Sequence, residues 1–150
     1  MGSITLPKRG PVFIDAQIAI YSVEKHYYYE PHLRALWQQV QARSLTVLCS
    51  EICLIEAIVL PLRNRDSTLV GEFESFFRQL GLQLLPVSLT VLREAAQLRA
   101  ELPKLRTPDA IHAASALLAR ADIFLTNDVQ LRMLPNLQVT VLQEAIQGQP

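Results

Sequence analysis

The sequence predicts an α/β fold: a mostly parallel sheet of about five strands covered by helices on both faces. Short apolar runs rich in β-branched residues recur along the chain, and longer segments of helical periodicity separate them. Across 150 residues no repeat, linker or low-complexity tract interrupts this alternation. That length fits one domain spanning 1–150, with an ordered core over about 11–143.

PVFID reads as the first strand, because three apolar residues precede a turn-forming acid. AQIAIY follows with helical character, and EPHLRALWQQVQARS is an amphipathic helix with Leu33, Leu36, Trp37 and Val40 on one stripe. LTVLC is a second strand. Ser50 is placed to cap the helix SEICLIEAIVLPLRN, which should end near Pro61. DSTLVGEFESFFRQLG repeats the helical pattern, with Gly81 as its stop. LQLLPV gives a third strand and SLTVLREAAQLRAEL another helix. Thr107-Pro108 opens the next helix with a cap and a first-turn proline. IFLTND and LQVTVL supply two last strands, with the helical-looking VQLRML between them; the tail QEAIQGQP is expected to fray.

Half of the residues are hydrophobic, yet the longest apolar stretch, ICLIEAIVLPL, is broken by Glu56 and falls short of the roughly 20 residues that span a bilayer. No membrane partner is expected, and MGSITLPKRG lacks an apolar core of signal-peptide length, so the expected location is cytoplasmic. Cys49 and Cys53 have no His or further Cys at ligand spacing and read as buried free thiols. The 14 basic residues balance the 14 acidic ones, without the basic excess of many nucleic-acid binders. Four metal-held carboxylates would change that balance to 14 basic against 14 − 4 = 10 acidic, a surplus a phosphate can feel.

Most acids sit on polar helix faces or loops, whereas four occupy conspicuous places. Asp15 ends the strand VFI at the carboxyl edge of the sheet, where open α/β folds build their sites; the position equally suits a cap for AQIAIY. Glu56 lies among Ile52, Ile55, Val59 and Leu60 on a helix with little polar face. An unpaired buried carboxylate is costly, so it should meet a metal or a basic partner, unless that edge of the helix is exposed. Asp109 stands in the first turn of its helix, where the dipole alone favours a carboxylate, and Asp128 closes IFLTND, where it also suits a turn or cap. An α/β fold can gather all four at one edge, where hard cations such as Mg²⁺ or Mn²⁺ relieve their repulsion.

The segments VFIDAQIAIY, SEICLIEAIV, RTPDAIHAASAL and FLTNDVQL, in this order from about Val12 to Leu142, resemble the PIN domains, and in particular the VapC-type toxin ribonucleases of prokaryotes. The resemblance implies a PIN-like fold in which Asp15, Glu56, Asp109 and Asp128 are the catalytic, metal-holding acids. It places Thr126 on a small hydroxyl that helps order the site. It also implies a Mg²⁺- or Mn²⁺-dependent ribonuclease acting on RNA, an antitoxin protein as partner, and leaves room for a homodimer. One departure follows the first acid, where Thr or Ser then Asn is common and this chain has Ala16 and Gln17.

Lys104 and Arg106, ahead of Asp109, are candidate RNA phosphate contacts or solvated loop charge. His112, one turn after Asp109, reads as a helix-face residue rather than a general acid. The run Tyr27-Tyr28-Tyr29 suits packing between the first helices, base stacking or a partner groove. A haloacid-dehalogenase-like phosphatase would need a second acid where Gln17 stands, and a receiver domain needs an early acidic pair and a mid-sheet phosphoacceptor that VLCS and LLPVS do not offer. The remaining alternative is a non-catalytic PIN-like scaffold that binds RNA or protein.

Overall fold

The alternation of strand and helix translates directly into topology. The computed structural model describes residues 2–148 and orders them as β1 (Val12–Ile14), α1 (Ala16–Val23), α2 (Glu30–Gln41), β2 (Val47–Ser50), α3 (Ile52–Arg63), α4 (Ser67–Arg78), β3 (Leu82–Leu85), α5 (Leu89–Glu101), α6 (Thr107–Leu118), β4 (Ile123–Thr126), a 3-10 turn (Val129–Met133), β5 (Val139–Val141) and α7 (Leu142–Gln147). The five strands form one sheet in the order β3-β2-β1-β4-β5, and every neighbouring pair is parallel. Parallel strands need crossovers, and the helices supply them.

Side chains alternate across the central strands and so divide the core in two. Val12, Ile14, Val47, Cys49 and Leu125 face one layer, built from α1, α2, α3, α4 and α7 through residues such as Ile18, Leu36, Phe73 and Leu142. Phe13, Leu48 and Phe124 face the other, where Val91, Ala95 and Leu98 of α5 meet the alanines of α6. Phe13 and Phe124 stack with ring centroids 5.3 Å apart, and truncating either to alanine would cost about 3–5 kcal/mol. Ala110, Ala113, Ala114 and Ala116 are all fully buried, so α6 runs against the sheet with almost no outward face.

Several expected boundaries move. α3 runs through Pro61 to Arg63, because a proline so near the C-terminus removes only one helical donor and its ring fills a buried position. The cap position of α3 is Glu51, although the Ser50 hydroxyl accepts from the Ile52 amide at 3.3 Å. α4 stops at Arg78, and Gly81 instead turns the chain into β3 at φ +87, where a Cβ would come within 2.7 Å of Val40. The tail expected to fray is helical through Gln147, with Leu142 and Ile146 buried, and the Gly2 amide donates to the Ile146 carbonyl at 2.9 Å; Gln149 and Pro150 lie outside the described residues. Cys49 and Cys53 are buried and free, as expected, and a hydrogen bond to Cys49 together with burial pushes the Cys53 thiol far above its ordinary range. Among the described residues no helix is long and apolar enough to cross a membrane.

Candidate active site

Strand order locates the site. From β1 the chain proceeds to β2 and β3 on one side, while β4 and β5 lie on the other, so the connections diverge between β1 and β4. Such a switch point leaves a crevice beyond the carboxyl ends of the strands. Asp15 stands directly after β1 and Asp128 two residues after β4, one on each side of it. A cleft of about 520 Å³ opens there, and its lining includes Asp15, Glu56, Asp109 and Asp128. All four singled-out acids therefore meet at one place.

Each is held differently. Asp15 caps α1, its Oδ1 accepting from the Ile18 amide at 3.2 Å, while its Oδ2 accepts from the Thr126 hydroxyl at 2.5 Å. Burial pushes the Asp15 carboxyl above its ordinary value of 3.8; the Thr126 hydrogen bond and nearby His112 oppose the rise, and Asp109 adds to it. Thr126 is fully buried, and its oxygen also accepts from the Asp128 amide at 3.1 Å, so one hydroxyl ties two acids together. Asp128 Oδ1 caps the 3-10 turn through the Gln130 amide at 2.9 Å. Asp109, in the first turn of α6, pairs with Arg106 at 2.9 Å. The helix-cap and cleft readings of Asp15 and Asp128 thus describe the same side chains.

Glu56 combines the two settings expected of it, an exposed helix edge and a basic partner. Its helix presents Cys53, Ala57 and Pro61 to the core and leaves Ile55, Val59 and Leu60 exposed, so the apolar residues around Glu56 do not bury it. The carboxylate, 36% exposed, meets a partner nonetheless: His112 Nε2 lies 2.7 Å from its Oε1. His112 is a helix-face residue on the buried, alanine-lined side of α6, 2% exposed and in T-shaped contact with Phe13. A single imidazole within the alanine run AIHAASAL, one turn past an acid, was the available sequence signal.

A model of the PIN domain family matches residues 12–137, which takes in all four acids. The chain belongs to the PIN domain family. No curated protein matches it significantly. Among solved structures, this PIN domain is similar in fold to VapBC2 from Rickettsia felis bound to a DNA fragment from its promoter, at 19% identity and TM-score 0.71 over 87% of this chain and 97% of that one. It is similar also to DNA-bound VapBC from Salmonella typhimurium, at 20% identity and TM-score 0.63 over 88% and 98% of the two chains. A third similar fold is Mycobacterium tuberculosis VapC20, described as a sarcin-ricin loop cleaving toxin, at 14% identity and TM-score 0.61 over 75% and 86%.

The rest of the PIN domain's cleft came less readily from sequence. Tyr21 lines it and accepts from Asn127 Nδ2 at 3.1 Å, while Asn127 Oδ1 accepts from the Gln143 amide at 2.8 Å, fastening α1 and α7 to the end of β4. Ala16 and Gln17 both line it, the departure from the common family pattern lying in the cleft itself. Arg106 lines it too, whereas Lys104 is exposed in the preceding loop and is not among the lining residues. The tyrosine run divides: Tyr29 stacks on Tyr21 with centroids 4.5 Å apart and joins α1 to α2, while Tyr27 is 88% exposed.

Oxygen donors from four carboxylates suit a hard divalent cation, and positive charge in the cleft would offset the desolvation that raises Asp15. As the side chains stand, Glu56 pairs with His112 through Oε1 and Asp109 with Arg106 through Oδ2, and both acids line the cleft. Among the described residues no three His, Cys, Asp or Glu are grouped closely enough to hold one ion.

Proposed function

We propose that this PIN domain is a metal-dependent ribonuclease and the toxin of a toxin–antitoxin pair. The convergence of Asp15, Glu56, Asp109 and Asp128 on one cleft carries the reading, since capping and pairing account for each acid singly but not for four of them lining one cavity. These residues would hold Mg²⁺ or Mn²⁺. When bound, such a cation supplies Lewis acidity toward a phosphodiester and acidifies water. The protein's own part is positional: Thr126 fixes Asp15 against Asp128, and Arg106, 73% exposed at the rim, is free to exchange Asp109 for a substrate phosphate. The fold shared with VapC20, a sarcin-ricin loop cleaving toxin, and with the VapBC complexes supports RNA as substrate and an antitoxin as partner, and the cytoplasm is proposed as the place where both are met. Exposed Ile55, Val59 and Leu60 offer apolar area that a helical antitoxin segment can cover.

Purified protein incubated with single-stranded RNA is expected to cleave it in Mg²⁺ or Mn²⁺, to stop in chelator, and to lose cleavage in Asp15→Asn and Asp128→Asn. Cleavage at the parental rate in chelator would sink the metal mechanism. Expression in a bacterium is expected to slow growth until an antitoxin is co-produced; normal growth with soluble, RNA-cleaving protein removes the toxin role alone. That no three acids among the described residues are grouped closely enough for one ion favours one other reading, a scaffold that binds RNA or protein without turnover. Binding without cleavage in either metal would establish it.

A further inference from the structure

Two helices from opposite faces of the sheet touch through the candidate site. α3 packs in the layer of Val12 and Ile14, α6 in the layer of Phe13 and Phe124, and the sheet separates them except beyond its carboxyl edge. There His112 Nε2 reaches Glu56 Oε1 at 2.7 Å. Both residues line the cleft.

We propose that His112 is a positioning residue, holding the Glu56 carboxylate over the cleft through its Nε2 hydrogen bond. This rests on the reading of Glu56 as a metal ligand. A carboxylate oxygen accepts, so Nε2 is the donor of this contact. Nδ1 is buried with no partner, which makes Glu56 the single hydrogen-bonding contact of the ring. A histidine kept for core stability alone would be ill chosen: the ring packs against Phe13, and an apolar side chain there would leave no buried nitrogen unsatisfied. The two partners also differ in freedom. His112 is enclosed at 2% exposure, while Glu56 is 36% exposed on a helix whose neighbouring Ile55 is 66% exposed, so the carboxylate would otherwise swing into water. The enclosed ring fixes the mobile acid, as hydrogen-bonding partners outside the ligand set orient metal-binding carboxylates, and loss of such a partner lowers metal affinity about 10–100-fold.

The test compares the full-length parent with His112→Gln, whose amide nitrogen can occupy the place of Nε2, and His112→Leu, which has no donor. Mn²⁺ affinity is measured by calorimetry without RNA, alongside melting in chelator and kcat and KM for RNA cleavage. The leucine variant is expected to bind Mn²⁺ about 10–100-fold more weakly and to lose kcat with KM little changed, whereas glutamine restores most of both. Should the leucine variant not fold, His112→Asn, whose shorter amide stops short of Glu56, takes its place. Parental Mn²⁺ affinity in the donor-less variant, or equal loss in the glutamine and donor-less variants, overturns the role of His112 and leaves the nuclease reading standing. A parent that binds no Mn²⁺ overturns the metal reading and this role with it.

Discussion

Thr126 and Asp15, 111 positions apart in sequence, are joined by a 2.5 Å hydrogen bond from the buried hydroxyl to Oδ2 of the carboxylate. β1 and β4 make this possible by lying side by side, with Ile14 in register with Leu125. The same oxygen accepts from the Asp128 amide, so the first and fourth acids share one small anchor.

Thr126→Val keeps the shape and removes the hydroxyl. The expected loss of stability in denaturant is about 1–3 kcal/mol, because the carboxylate loses a donor and the Asp128 amide an acceptor. RNA cleavage should fall about 10–100-fold, and Thr126→Ser should retain most of it. A valine variant that cleaves at the parental rate would show that the anchor has no part in the chemistry.

Asp15 has a folded pKa raised chiefly by burial, so folding favours its protonated form. Its contribution to stability is fully present below the unfolded value near 3.8 and is lost as pH rises through the folded value. Asp15→Asn does not titrate, and asparagine still caps a helix well. In chelator, the melting temperature of the variant minus that of the parent should therefore grow as pH rises from below 3.8 through that window. Reading the pH trend rather than one difference removes the constant effect of the altered Thr126 contact. A flat difference would mean that the carboxylate is not penalised by burial.

Saturating Mn²⁺ should stabilise the parent by roughly 2.7 kcal/mol at 100 times its dissociation constant, several degrees for a domain of this size. Glu56→Gln, Asp109→Asn and Asp128→Asn should each lose most of that response while remaining folded in chelator. Melting curves with and without the ion decide it. Variants that respond as the parent does would return these acids to their roles as hydrogen-bond partners.

Arg106→Ala separates substrate contact from stability. The Arg106–Asp109 pair is at the surface on the arginine side, 73% exposed, and is worth at most about 1 kcal/mol. RNA affinity should weaken and its salt dependence should drop by about 0.7 in log–log slope, the loss of one phosphate contact to a single strand. An unchanged slope would restrict Arg106 to its pairing with Asp109.

By itself the sequence determined the fold class, the strand segments within a residue or two, the helix stripe of Leu33, Leu36 and Val40, and the four acids of the cleft. These are local signals: periodicity, caps and acids after strands depend on neighbours a few positions away. What the apolar residues around Glu56 face was not local. An apolar run reads alike whether it turns to the core or to water, and only the packing of Cys53, Ala57 and Pro61 inward left Ile55, Val59 and Leu60 outside. The partner of His112 was hidden for the complementary reason, since its burial and its contact with Glu56, 56 positions away, depend on helices from opposite faces meeting beyond the sheet edge. Strand order made that meeting, and strand order is set by the sum of many weak long-range contacts that no single segment records.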